Sequence, residues 1–338
     1  MSQPTSDAMP NPAPVFEAMI AYQRTAAIRA AIELELFTAI GEGIGTPLAL
    51  AERCGAAERG VRMLCDRLVI DGLLTKGDER YALTPTAALF LDARSPACMA
   101  PMIAFLAGEM VTTSFDRLTE AVRRGGTALD GTGSLAPEHP AWVQFARAMA
   151  PSAAFTANML SPILGPIEGT VLDLAAGHGL YGITLARDNP KVRVVAQDWP
   201  NVLAVAAENA RTAGVMDRFS TIPGSAFDVD FGSGHAVVLL TNFLHHFDPE
   251  TCTTLLRKVH AALAPGGRAV ALEFVPDADR VTPPAAGAFA LTMLATTPAG
   301  DAWTQAEYDA MFRAAGFAQG VTLHELPPTP QRLLVAVR

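Results

Sequence analysis

The chain reads as an α/β protein: a mostly parallel seven-stranded sheet closed by an antiparallel terminal hairpin, preceded by a smaller helical domain. Three observations predict this. From Gly169 onward, apolar strand-like runs at 170–175, 192–197, 218–222, 235–241 and 268–274 alternate with helical runs at 179–189, 201–213 and 250–263. That rhythm buries a parallel sheet beneath helices on both faces. After a helical run at 304–315 and Gly316, the last two apolar runs, 318–325 and 331–337, are separated by only a short connection containing Leu326-Pro327-Pro328. Strands that close in sequence pair antiparallel. Finally, 338 residues of which 50% are hydrophobic and 17% charged can fill the cores of two domains.

Taken in order, the first fourteen residues, MSQPTSDAMPNPAP, have no basic start and no apolar segment, so they are expected to be a flexible arm rather than a signal peptide. A domain is expected over 15–95. Phe16, Met19, Ile20, Ile28, Ile32, Leu36, Phe37 and Ile40 recur at helical spacing until Gly41 and Gly43 stop the pattern. Thr46-Pro47 opens another helix, and Glu58 to Ile70 reads as a third. Strands at Leu73–Lys76 and Tyr81–Leu83 flank the polar turn Gly77-Asp78-Glu79. Helices followed by a small hairpin make the winged-helix pattern, which is common in DNA binding. A net charge of −9 and the absence of a Lys/Arg stripe favour a dimerisation or scaffolding role over contact with nucleic acid. Residues 96–165 are mostly helical with a Gly-rich break at 125–133, and they are expected to link the domains and contribute to a pocket wall. Residues 166–338 carry the sheet.

No apolar run approaches the roughly 18 residues that a membrane span requires. Cys54, Cys65, Cys98 and Cys252 are scattered, as expected of reduced thiols in a cytoplasmic protein.

The run VLDLAAGHGLYG, 171–182, carries the first chemical signal. A short buried strand turns through Ala175-Ala176-Gly177-His178-Gly179 into a helix opening at Leu180. Bare backbone N–H groups come close to whatever lies above such a turn, and small residues leave room for it. Nineteen residues past Gly179, Asp198 ends the second strand, VRVVAQD, where an acid can accept from both hydroxyls of a ribose. The turn and the acid together suit a nucleoside.

With DLAAGHG, QDWP, LHHFDPE, APGG and AGF in this order, the chain resembles class I S-adenosylmethionine-dependent methyltransferases. More narrowly, it resembles the small-molecule O-methyltransferases of the plant-like and bacterial natural-product type. RMLCDRLVIDGLL and YALTPTAALFL fit their N-terminal domain. The resemblance runs from about residue 15 to the end. It implies a Rossmann-like catalytic domain, S-adenosylmethionine as cofactor, a homodimer formed through the N-terminal domain, and a small aromatic acceptor. Matched residue by residue, it implies that Asp173, Ala175, Gly177, Gly179, Asp198, Trp199, Ser225, Ala226, Phe227 and Asn242 hold the cofactor. Asp173 would meet the amino group of the methionine moiety. Ser225 replaces an acid that usually binds the adenine amino group, which leaves Phe227 to cover the adenine face.

Methyl transfer to a hydroxyl needs a base poised near the working pH, and histidine suits that role. His245 aligns with the family's catalytic His, just past the C-terminal end of a parallel strand, where such sheets bind ligands. Glu273 matches the family acid that orients it, while a second family Glu would fall near Ala302 and is absent. His246 replaces a frequent Asp and is expected to be structural or to support His245. Adjacent histidines rarely ligate one ion, so no metal is expected. Phe145, Met149, Phe155, Phe289, Met293 and Trp303 fall in segments that line the acceptor pocket in the family. Other readings stay open at this point. They are nitrogen or carbon methylation, decarboxylation or hydroxylation on the same fold, a DNA-binding regulator, and an NAD-dependent dehydrogenase.

Overall fold

The computed structural model describes residues 10–131 and 133–338, and contacts divide the chain into two compact units, 1–103 and 104–338. The arm expected at 1–14 lies outside the described residues as far as residue 9.

In the first unit, helix α1 (Ala13–Glu33) has Pro14 in its first turn, and α2 (Leu36–Gly41) follows a left-handed residue, Glu35, at φ 52°. The apolar repeat over 15–40 is therefore two helices rather than one. Thr46 caps α3 (Pro47–Cys54) through its side chain, and Gly55 ends it at φ 63°. Helix α4 (Glu58–Ile70) leads into the antiparallel pair β1 (Leu74–Gly77) and β2 (Arg80–Leu83), and Thr84 caps α5 (Pro85–Phe90). Leu36, Phe37, Leu50, Val61, Leu68 and Leu74 fill this unit's core. Outside it, α1 leaves Val15, Phe16, Met19, Ile20 and Tyr22 exposed.

Helix α6 (Ile103–Leu106) begins at the boundary, and the second unit continues with the short helices α7 (Glu109–Asp116) and α8 (Leu118–Arg124) and then the 25-residue α9 (Pro140–Leu164). Its sheet is built from β3 (Gly169–Leu174), β4 (Val192–Asp198), β5 (Phe219–Pro223), β6 (His235–Thr241), β7 (Leu263–Glu273), β8 (Thr322–Glu325) and β9 (Arg332–Val337). The spatial order is β5-β4-β3-β6-β7-β9-β8. The first five strands are parallel; β9 runs antiparallel against both β7 and β8. The hairpin predicted from the sequence is present, and β9 inserts between β7 and β8. Strand β8 starts at 322 rather than 318, because Phe317 turns into the core and Gly320 closes a turn onto its carbonyl.

Strands buried on both faces read as continuous apolar runs, as Val171–Leu174 and Val237–Leu240 do apart from Asp173. One core layer gathers α9, α10 (Leu180–Asp188) and α11 (Pro200–Thr212); the other gathers α12 (Pro249–Ala262) and α14 (Gln305–Ala314). A further helix, α13 (Pro284–Thr296), follows β7. The strand order reverses between β3 and β6. The chain ends leaving β3, β4 and β6 therefore diverge at one edge, and the crevice this opens is where such sheets take ligands.

Candidate active site

The turn after β3 holds three left-handed residues within five positions: Ala175, Gly177 and Gly179, at φ 48°, 58° and 70°. Gln197, buried near the end of β4, sets their height. Its side-chain oxygen accepts from the Ala175 N–H at 3.3 Å and its backbone carbonyl from the Ala176 N–H at 3.0 Å. The two glycines serve different ends. A Cβ on Gly177 would meet no heavy atom closer than 3.9 Å, so it would project into the crevice. A Cβ on Gly179 would sit 2.9 Å from Ala206 Cβ, so that glycine allows α10 to pack on α11. Of these two glycines, Gly177 lines the cavity and Gly179 stands behind it.

Asp198 stands beside this turn. One carboxylate oxygen accepts from the Gly177 N–H at 2.8 Å and the other from the Trp199 N–H at 2.7 Å. Burial pushes its pKa up to about 6, against the pull of those two donors. Asp173 lies behind the turn and is fully buried. One oxygen accepts from the Gly182 N–H at 3.1 Å, while the other has no partner among the described residues. Burial pushes this carboxyl up to about 7. His178 is buried: its Nδ1 accepts from the Leu180 N–H, and burial holds its pKa down to about 4.

The opposite wall is the turn 224–228. Gln197 reaches this turn too, donating from Nε2 to the Gly224 carbonyl at 2.5 Å, so one side chain spaces the two turns that face each other. Ser225 Oγ is occupied within the turn, accepting from the Phe227 N–H at 3.2 Å. Ser225, Ala226 and Phe227 all line the cavity, with Ala175, Gly177, Asp198, Trp199 and Asn242. Its volume is about 290 Å³. Phe227 presents its ring edge-on to Phe247 at 5.1 Å.

The third wall follows β6. Asn242 is left-handed at φ 55°, its N–H bonds the Leu272 carbonyl at 2.8 Å, and its side-chain oxygen accepts from Gln331 Nε2. A single helical turn, Leu244–His246, then brings two imidazoles together. Glu273 ends the neighbouring strand β7 and is completely buried. Its Oε1 accepts from the Phe243 and Leu244 N–H groups at 3.0 and 2.8 Å, and its Oε2 bonds His245 Nδ1. A carboxylate only accepts, so Nδ1 carries the proton and Nε2 the lone pair. Nε2 has no hydrogen-bond partner among the described residues.

His246 faces the cavity directly. Its Nδ1 bonds the Phe243 carbonyl, which likewise fixes the proton there, and burial with the nearby His245 holds its pKa well below the ordinary imidazole range. The two rings lie 4.3 Å apart. Among the described residues no three His, Cys, Asp or Glu side chains gather as metal donors.

The expected acceptor-side residues separate into groups. Phe145 lines the cavity and meets Trp142 edge-on at 5.6 Å. Phe289 stands edge-on to the His245 ring at 4.8 Å and stacks on Phe274 at 4.0 Å. Met293, one helical turn beyond Phe289, is buried. Met149 is half-buried and Phe155 is 48% exposed; neither lines the cavity. Trp303 donates from Nε1 to the Phe247 carbonyl, so it braces the histidine turn instead of walling the cavity. Ala302 is wholly buried beside Asp301, whose N–H bonds the His245 carbonyl.

Residues 143–318 match the family model of the O-methyltransferase domain, and residues 16–93 match that of the O-methyltransferase dimerisation domain. A relative from Streptomyces sahachiroi, 3-hydroxy-5-methyl-1-naphthoate 3-O-methyltransferase, is 28% identical over 93% of this chain and 92% of its own length. The tetracenomycin polyketide synthesis 8-O-methyltransferase of Streptomyces glaucescens is 29% identical, covering 90% and 91%. A crystal structure from Nostoc punctiforme, provisionally assigned as an O-methyltransferase, superposes with a TM-score of 0.95 at 51% identity, covering 98% of this chain and all of that one. Human N-acetylserotonin methyltransferase, solved with S-adenosylmethionine, shares the fold at 20% identity, with a TM-score of 0.84 over 99% of both chains.

Proposed function

The chain belongs to the O-methyltransferase family, and we propose that it transfers a methyl group from S-adenosylmethionine to a hydroxyl of a small aromatic acceptor, with His245 as base and Glu273 as its orienter. The observation that supports this most is the His245–Glu273 pair: an imidazole held in one tautomer by a buried carboxylate, 4.3 Å from a histidine on the cavity wall.

The residues present fit the cofactor. The cradle that a Cβ on Gly177 would fill is open, and Asp198 turns a carboxylate toward it, where the two hydroxyls of a ribose would donate. The unpartnered oxygen of Asp173 is suited to an ammonium group, while Trp199 and Phe227 offer ring surface. When bound, the cofactor supplies an electrophilic methyl group on a sulfonium. Trp142 and Phe145 supply apolar surface that suits a planar acceptor and limits the water around it. The acceptor oxygen would take the methyl carbon as the carbon–sulfur bond breaks and a neutral thioether leaves, and the hydroxyl proton would pass to His245 Nε2. Glu273 then faces an imidazolium and stabilises it at Nδ1. His246 stays neutral, since a second cation 4.3 Å away is disfavoured.

We further propose a homodimer formed through the winged-helix-like first unit, on the support of the dimerisation-domain match and the exposed Phe16, Met19 and Ile20 on α1. We place the enzyme in the cytoplasm, on the support of its four free cysteines; no helix among the described residues is long and apolar enough to cross a membrane.

Incubation with methyl-labelled S-adenosylmethionine and a panel of phenols and hydroxynaphthoates tests the reaction. The expected result is label in an ether product; label recovered only on nitrogen or carbon, or in no product, contradicts it. A second expectation concerns pH. Burial raises the Asp173 and Asp198 carboxyls, so the stability they lend the ligand-free fold is present at low pH and lost as pH rises through about 6 to 7. A ligand that brings an ammonium and two hydroxyls favours their ionised forms. The rise in Tm caused by S-adenosylhomocysteine should therefore grow between pH 5 and pH 8, and a thermal-shift series showing a flat or shrinking rise would contradict the placement of these acids.

A further inference from the structure

The turn 224–228 makes its own bonds locally. Ser225 Oγ accepts from the Phe227 N–H, and the Ser225 carbonyl accepts from the Asp228 and Val229 N–H groups. These bonds shape the turn without fixing it to the rest of the domain. Three anchors do that. Two hold its start: the Asp198 carbonyl accepts from the Gly224 N–H at 3.0 Å, and Gln197 donates to the Gly224 carbonyl. The third, Lys258 on α12, holds the middle: its ammonium donates to the Ala226 carbonyl at 2.9 Å and to the Phe227 carbonyl at 3.1 Å. The same ammonium stands 4.2 Å above the centre of the buried Phe231 ring. Burial lowers its pKa, while Asp228 and Asp230 favour its charge.

The helix that carries Lys258 also supports the reaction end. Asp248 caps it, and Cys252 donates to the Leu244 carbonyl at 3.2 Å, within the histidine turn. Phe227 and Phe247 meet edge-on between the two turns. One rigid helix therefore sets both the wall where Ser225 and Phe227 stand and the loop that carries His245.

We propose that Lys258 is a positioning residue of the nucleobase subsite, fixing the 224–228 turn from behind so that Ser225 and Phe227 meet an adenine. This rests on the S-adenosylmethionine reading above. It also accounts for a departure within the site: with no carboxylate at Ser225, recognition of the base depends on the placement of this turn's backbone and of Phe227, which makes the anchor behind it matter more.

The test compares the full-length wild type with Lys258→Met, Lys258→Gln and Lys258→Arg. S-adenosylhomocysteine affinity is measured by calorimetry, steady-state kinetics supply kcat and KM, and circular dichroism monitors folding. Lys258→Met keeps the aliphatic stem and loses both hydrogen bonds. It is expected to weaken S-adenosylhomocysteine about tenfold, which is about 1.4 kcal/mol. The KM for S-adenosylmethionine should rise in proportion, with kcat within about twofold and the acceptor KM unchanged. Lys258→Arg should restore most of the affinity, and Lys258→Gln, with one donor group, should fall between. Wild-type affinity in Lys258→Met would overturn the inference. So would a loss confined to kcat, and, should Lys258→Met not fold, so would wild-type affinity in Lys258→Gln. If the wild type itself does not bind S-adenosylhomocysteine, the cofactor reading falls first and this inference with it.

Discussion

Replacing Glu273 with glutamine is expected to lower kcat by roughly 10²- to 10⁴-fold while leaving S-adenosylhomocysteine affinity within a few-fold of wild type. The carboxylate accepts three hydrogen bonds, from the Phe243 and Leu244 N–H groups and from His245 Nδ1. Glutamine can still accept the two backbone bonds through its oxygen. Its amide group can only donate toward the imidazole, so Nδ1 must become an acceptor and the proton moves to Nε2. The nitrogen that should receive the hydroxyl proton then no longer has a lone pair. His245→Ala should reach a similar rate by removing the base outright, and the double variant should fall little further, because the two side chains act as a unit. His246→Ala separates the two imidazoles. His246 is the one on the cavity wall, but the low pKa that burial imposes makes it a poor base. Its loss should cost far less in kcat than loss of His245. Full activity in Glu273→Gln, or a larger loss from His246 than from His245, would reverse the assignment.

The second large effect is on binding. Asp198→Ala is expected to weaken S-adenosylhomocysteine by about 10²-fold or more, since two hydrogen bonds to a charged acceptor contribute about 1.5–3 kcal/mol each. The same change strips the Gly177 and Trp199 N–H groups of their acceptor. Asp198→Asn keeps an acceptor oxygen and should lose less. At saturating S-adenosylmethionine, kcat should fall far less than in Glu273→Gln, because the proposed role of Asp198 is to hold the ribose and not to move the acceptor's proton. Calorimetry on both variants checks this; affinity within threefold of wild type in Asp198→Ala would remove Asp198 from the ribose.

The parts of the site that were legible in the sequence are those that follow from local geometry. A buried apolar strand must end, a turn with Gly177 must carry bare backbone, and an acid ending the next parallel strand must stand beside it. Asp198, His245 and Glu273 all sit at strand ends or just past them, so strand reading put them at the same edge of the sheet, while the roles expected of His245 and Glu273 came from the family resemblance. The bracing residues were not legible. Gln197 spans to Ala175 and Gly224, Gln331 reaches Asn242, and Lys258 reaches Ala226 and Phe227. These are bonds between segments distant in sequence, and no spacing rule forecasts them. Helix α13 was missed for a different reason. PAAGAFALTMLAT is apolar or small on almost every side, so it carries no amphipathic stripe to mark it. Phe155 shows the limit of carrying a segment over from the family: α9 runs for 25 residues and cannot turn every large side chain toward one cavity, and Phe155 is 48% exposed.

The central claim is that the crevice above β3, β4 and β6 holds the methyl donor. Calorimetric titration of the purified chain with S-adenosylhomocysteine, with NAD titrated in parallel, tests it most directly. The account predicts saturable binding of one S-adenosylhomocysteine per chain and none of NAD; no binding of the thioether, or binding of NAD in its place, would contradict it.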